Sequence, residues 1–136
     1  MTTTASTSAR PPAEPGKKHI LIVDDERPIR ELVAEYLIAR GFRVTAVCSA
    51  AEAYKAARDD AADLVITDLQ LEDSDGLELV EQLKSERPDM PVILLTGVLF
   101  DQKVVDERIS KKVSAYVSKT SALSELLTEV LRLLKP

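Results

Sequence analysis

Three aspartates, a threonine and a lysine stand where this sequence can most readily support chemistry. Asp24 and Asp25 directly follow the apolar run Ile20 to Val23, and Asp68 follows Leu64 to Thr67. Thr96 follows Val92 to Leu95, and Lys119 lies just beyond Ala115 to Val117. Carboxylates gathered in one pocket repel each other, which is tolerable only if a cation or proton compensates the charge. A donor set of carboxylate oxygens with no His or Cys favours Mg²⁺ over zinc, because Mg²⁺ takes few protein ligands, keeps several waters and shares phosphate oxygens. Here the ligands would be Asp24, Asp25 and Asp68. A carboxylate bridged to such a metal is a usable nucleophile toward phosphorus and gives an aspartyl phosphate. Asp68 would then carry the phosphoryl group, Lys119 would set positive charge against its oxygens, and the Thr96 hydroxyl would add a hydrogen bond.

These residues meet only if the runs before them are neighbouring strands. The candidates are Ile20 to Val23, Val44 to Val47, Leu64 to Thr67, Val92 to Leu95 and Ala115 to Val117, all short, unbroken and mostly aliphatic. That is the signature of strands buried on both faces. Helix-period segments lie between them. The first has Ile29, Leu32, Val33, Tyr36 and Leu37 as its apolar positions, with Pro28 suited to a first turn and Gly41 to a stop. Ser49 and Glu52 form a capping-box pattern ahead of an Ala-rich helix with a thin apolar face. A third helix is expected from about Gly76 to Glu86 with Leu77, Val80 and Leu83 inward, and a fourth over about Asp101 to Lys111 with Val104, Val105 and Ile109. The last shows a stripe of Leu123, Leu126, Leu127, Val130, Leu131 and Leu134.

Alternating strand and helix units predict an α/β fold: a doubly wound, five-stranded parallel sheet of order 2-1-3-4-5, a flavodoxin-like (βα)5 arrangement. In such a sheet ligands bind outside the strand C-terminal ends, where all five candidate residues fall.

Composition narrows the alternatives. The 136 residues suffice for one domain, 45% are apolar and 30% charged, and there is no Trp and only five Phe or Tyr, as in a soluble aliphatic domain. No run approaches the roughly 18 apolar residues of a membrane span. A net charge of −5 argues against direct nucleic-acid binding. The single cysteine, Cys48, suits a reducing cytoplasm. Residues 1–17, rich in Ser, Thr and Pro, read as a disordered tail that cannot offset its own ordering entropy, with the domain over 18–136. With Pro136 as its end, the chain would carry no output module of its own.

The motifs Val23-Asp24-Asp25-Glu26, Asp68-Leu69-Gln70-Leu71 continuing to Asp75-Gly76, Thr96-Gly97 and Tyr116-Val117-Ser118-Lys119 resemble the receiver domain of the bacterial two-component response-regulator family, in order and spacing, from about Lys18 to Leu134. The resemblance implies Asp68 as phosphoacceptor, Asp24 and Asp25 as the acidic Mg²⁺ pair, and the backbone carbonyl of Gln70 as a further metal ligand. It implies Thr96 and Lys119 as the residues that meet the phosphate, and Tyr116 as the aromatic switch that follows the threonine. It also implies a sensor histidine kinase or histidine phosphotransfer protein as donor and an unidentified downstream protein as partner, with no enzymatic activity beyond self-phosphorylation and self-dephosphorylation.

Three positions depart from the family pattern. Thr120 and Glu72 stand where prolines are usual, and Lys112 where a glycine is common before the last strand. They motivate an alternative, a non-phosphorylated scaffold of the same fold. An aspartate-nucleophile phosphatase is disfavoured because Gln70, two residues beyond Asp68, cannot serve as a general acid. A nucleotide-binding reading lacks a glycine-rich loop after the first strand. The run Val98-Leu99-Phe100 is more apolar than a solvent loop needs, so Phe100, with Val104 and Tyr116, is expected on a partner surface. His19 is expected to be exposed at the start of its strand.

Overall fold

The computed structural model describes residues 17–96 and 113–134. The chain runs β1 (His19–Val23), α1 (Arg27–Ala39), β2 (Arg43–Val47), α2 (Ala50–Asp59), β3 (Leu64–Thr67), α3 (Gly76–Glu86), β4 (Val92–Thr96), β5 (Ala115–Ser118) and α4 (Leu123–Leu133). All neighbouring strands pair in parallel, in the order β2-β1-β3-β4-β5. The predicted sheet is the observed one. The helix predicted over 101–111, with Phe100, Val104 and most of the tail, lies outside the described residues.

Alternation along the strands divides the core in two. Ile20, Ile22, Leu64, Ile66, Ile93, Leu95 and Val117 face α1 and α4, where Val33, Leu37, Leu126 and Val130 close the layer. Leu21, Val23, Val65, Val92 and Leu94 face α2 and α3, packing on Ala50, Ala53, Leu77, Leu79, Val80 and Leu83. Both faces of the sheet are therefore buried, as its aliphatic strands require. Among the described residues no helix is long and apolar enough to cross a membrane.

Local signals act as their chemistry dictates. Pro28 sits in the first turn of α1, and Gly41 follows the helix with φ +99°, a conformation that disfavours side chains. Ser49 Oγ accepts from Glu52 N at 3.2 Å, while Glu52 Oε1 reaches back to Cys48 N at 2.9 Å instead of the Ser49 amide. Asp75 caps α3, its Oδ1 accepting from Leu77 N at 2.6 Å.

Three expectations need correction. Leu32 and Leu131 keep the helical period but are 51% and 52% exposed, because only Val33 and Leu37 of α1 and Leu126 and Val130 of α4 are buried against the sheet. His19 is 1% exposed, not open to solvent. Its backbone is locked between neighbouring segments, with Asp63 N donating to His19 O at 2.7 Å and His19 N donating to Asp63 Oδ2 at 2.8 Å. The ring lies 3.0 Å from Ala61 O through Nδ1 and 2.7 Å from Thr45 Oγ1 through Nε2. Since a carbonyl can only accept, Nδ1 carries the proton.

Candidate functional site

The strand ends bring the predicted residues together. Asp24 continues β1, its amide donating to Val47 O at 3.1 Å, and Asp68 continues β3, its amide donating to Val23 O at 3.0 Å. Because β1 and β3 are adjacent, carboxylate oxygens of Asp24, Asp25 and Asp68 lie within 4.8 Å of one another. Asp24 and Asp68 are buried and Asp25 is partly so. Further bonds fix the backbone. Arg30 Nη1 donates to Asp24 O at 2.8 Å, and the buried Thr67 Oγ1 donates to Asp68 O at 3.0 Å.

Lys119, just past β5, extends across the sheet edge to this cluster. Its Nζ lies 2.9 Å from Asp68 Oδ2 and 3.1 and 2.9 Å from Asp24 Oδ1 and Oδ2, and it also donates to Glu26 Oε1. Only 6% of the lysine side chain is exposed. Burial alone would lower its pKa, but the hydrogen bonds to Asp68, Glu26 and Asp24 outweigh it and hold the ammonium charged well beyond the usual lysine range. For Asp24 the balance is reversed. Burial pushes its carboxyl up, and the Glu26 amide and Lys119 only partly offset that.

The donor set fits a hard dication. Oδ1 of Asp24 accepts from Glu26 N at 2.8 Å, whereas among the described residues buried Oδ2 accepts no hydrogen bond and faces the Lys119 ammonium at 2.9 Å as an ion pair. An under-satisfied buried carboxylate oxygen beside two further carboxylates is a ready ligand for a metal that prefers oxygen.

The other described candidates lie at or near this edge. Thr96 ends β4 in register with Ser118, and Tyr116 pairs with Leu94 and packs partly buried against the α2 and α3 face. Gln70 is exposed in the loop after Asp68, its amide 3.4 Å from Asp68 Oδ1. The Lys119–Thr120 peptide is trans, and Thr120 folds back, its amide donating to Ser118 Oγ at 3.1 Å.

Sequence reasoning missed two participants. Glu26 was seen as part of a motif, but its pairing with Lys119, 93 residues away, has no periodic signature. Gly76 proves to be set by space: a Cβ there would stand 2.0 Å from Asp68 O.

A family model described as the response regulator receiver domain matches residues 20–131. Among curated proteins, the chain is 31% identical to the regulatory protein VirG of Agrobacterium fabrum over 83% of this chain and 44% of that protein. It is 33% identical to the probable transcriptional regulatory protein TcrX of Mycobacterium tuberculosis over 85% and 49%. The chain thus spans less than half the length of these relatives. Among solved structures, response regulator TrrA of Thermotoga maritima in complex with Mg²⁺ and beryllium fluoride superposes with a TM-score of 0.77 at 34% identity, covering 86% of this chain and 99% of that one.

Proposed function

Because the chain belongs to the response regulator receiver-domain family, we propose that it is a phosphorylatable switch: Asp68 accepts a phosphoryl group from a phosphohistidine donor, and the partner-binding surface changes in response. The observation that carries this reading is the Lys119 ammonium, which reaches from just past β5 to stand 2.9 Å from both Asp68 Oδ2 and Asp24 Oδ2 at the ends of β3 and β1.

In the transfer, a carboxylate oxygen of Asp68 forms a bond to phosphorus as the phosphorus–nitrogen bond of the donor breaks, the electron pair leaving on the imidazole. Asp24, Asp25 and Asp68, with the Gln70 carbonyl, are the residues that would hold Mg²⁺, which when bound supplies charge neutralisation for the incoming phosphoryl oxygens. Asp68 is fixed for attack by its backbone bond to Val23 and by the β3 end on which it stands. Lys119 places a positive charge beside the Asp68 carboxylate, where phosphoryl oxygens would arrive. Thr96 ends the strand between β3 and β5, a suitable place for a hydroxyl that follows the phosphate, and Tyr116 lies two residues back from its partner Ser118. That the similar protein TrrA forms a complex with Mg²⁺ and beryllium fluoride supports a metal-dependent role for this chain too. The donor would be a sensor kinase or a phosphotransfer protein.

The scaffold alternative arose from Thr120 and Lys112. Lys119 keeps its place among the carboxylates with Thr120 behind it, so nothing at the described part of the site favours that alternative. Amide chemical shifts during titration with Mg²⁺ and beryllium fluoride test the switch. Saturable shifts at Asp68, Thr96 and Lys119, lost in Asp68→Asn, are expected; no shift in the unaltered protein would refute it.

A further inference from the structure

Between β3 and α3 the chain makes a closed loop from Leu69 to Asp75. Gly76 N donates to Leu69 O at 2.8 Å, Leu71 N donates to Ser74 O at 3.0 Å, and Gln70 and Asp75 form an antiparallel bridge. The base of this loop is tight, since Gly76 abuts the Asp68 carbonyl. The tip is fastened to a different element. Asp73 Oδ1 accepts from Ala50 N at 2.9 Å and Oδ2 from Ala51 N at 3.1 Å, the first two residues of α2. These donors are free amides of a helix start, where a carboxylate is favoured by both hydrogen bonding and the helix dipole. Leu71 beside it packs into the core cluster that contains Ala50 and Ala53.

We propose that Asp73 is a positioning residue for the metal: by tying the loop tip to α2 it fixes the Gln70 backbone before Mg²⁺ arrives. The inference rests on reading Asp24, Asp25, Asp68 and the Gln70 carbonyl as the Mg²⁺ site. Glu72 gives the loop no ring constraint of its own, so restriction must come from contacts, and the Asp73 bonds cross from the loop to a separate, packed helix. A ligand group held in place before binding spares the ordering entropy that a free loop would lose on coordination. Residues that orient a metal ligand from behind commonly change affinity without touching the metal.

The test is the Mg²⁺ dissociation constant by calorimetry, with amide hydrogen exchange of the metal-free protein, for the unaltered chain, Asp73→Ala, Asp73→Asn and Glu72→Gln. The Ser49 cap of α2 involves neither Asp73 nor Glu72, so each variant is expected to keep it. Asp73→Ala is expected to weaken Mg²⁺ about tenfold and speed exchange at Leu71, with Asp73→Asn between it and the unaltered protein. Glu72→Gln, which removes the same charge one residue away, is expected to change affinity less than about twofold. Unchanged affinity in Asp73→Ala, even with faster exchange in α2, would overturn the inference, as would an equal loss in Glu72→Gln. No Mg²⁺ binding by the unaltered protein would instead remove the metal site itself, and the inference with it.

Discussion

Gly76 approaches the Asp68 carbonyl oxygen so closely that a Cβ on the glycine would stand 2.0 Å from it. The start of α3 and the proposed phosphoacceptor are thereby packed backbone to backbone, and neither can move without the other. Gly76→Ala is expected to cost about 3 kcal/mol, since a rigid carbonyl must yield to the new methyl group. Denaturant melts would measure this; a loss below about 1 kcal/mol would mean the contact relaxes cheaply.

Asp24 is a buried carboxylate whose pKa is raised chiefly by desolvation, and among the described residues one of its oxygens accepts no hydrogen bond. Asp24→Asn should therefore stabilise the metal-free protein at neutral pH by about 1 kcal/mol, or roughly 4 °C in Tm. Mg²⁺ should raise the Tm of the unaltered protein and do so far less in the variant. A variant less stable than the unaltered protein without metal would show that the Lys119 pairing outweighs the burial of Asp24.

Among the described residues Lys119 is the one cation that pairs with Asp24, Glu26 and Asp68 together. Lys119→Met leaves the buried carboxylates without it and should cost about 3 kcal/mol at neutral pH. The loss should shrink on addition of Mg²⁺ and in an Asp24→Asn background, because each lowers the same repulsion. Thermal melts of the four combinations measure the coupling, and strictly additive losses would contradict it.

Asp73 makes a pH-dependent contribution to stability. Backbone hydrogen bonds from Ala50 and Ala51 hold its carboxyl below the ordinary carboxylate range. A folded pKa below the unfolded one means a contribution fully present above the unfolded value of about 4 and lost as pH falls through the folded one. The stability difference between the unaltered protein and Asp73→Ala should thus be flat above about pH 5 and narrow below it. Urea melts from neutral to acidic pH read this directly; a gap that widens on acidification would reverse the assignment.

Where contacts are local or periodic, the sequence could be read closely. Leu64 to Thr67 and Gly76 to Glu86 have the same limits in the structure as in the sequence reading, because an aliphatic run and a glycine-to-proline frame mark both ends. The other strands extend by polar residues, His19, Arg43, Thr96 and Ser118, which ladder bonding recruits and hydropathy does not reveal. His19 was misjudged for that reason: its burial comes from Thr45, Ala61 and Asp63, which only the folded sheet assembles. Asp24, Asp25, Asp68 and Lys119 were legible because strand ends converge in an open parallel sheet. The Glu26 and Asp73 partnerships were not, since each depends on a side chain meeting an element far along the chain.

The most direct test is intact mass after incubation with Mg²⁺ and acetyl phosphate, with Asp68→Asn alongside. One phosphoryl increment on the unaltered chain, abolished by chelating the metal and absent from Asp68→Asn, is the predicted result. An unmodified chain, or an increment that persists in Asp68→Asn, would contradict Asp68 as the phosphoacceptor.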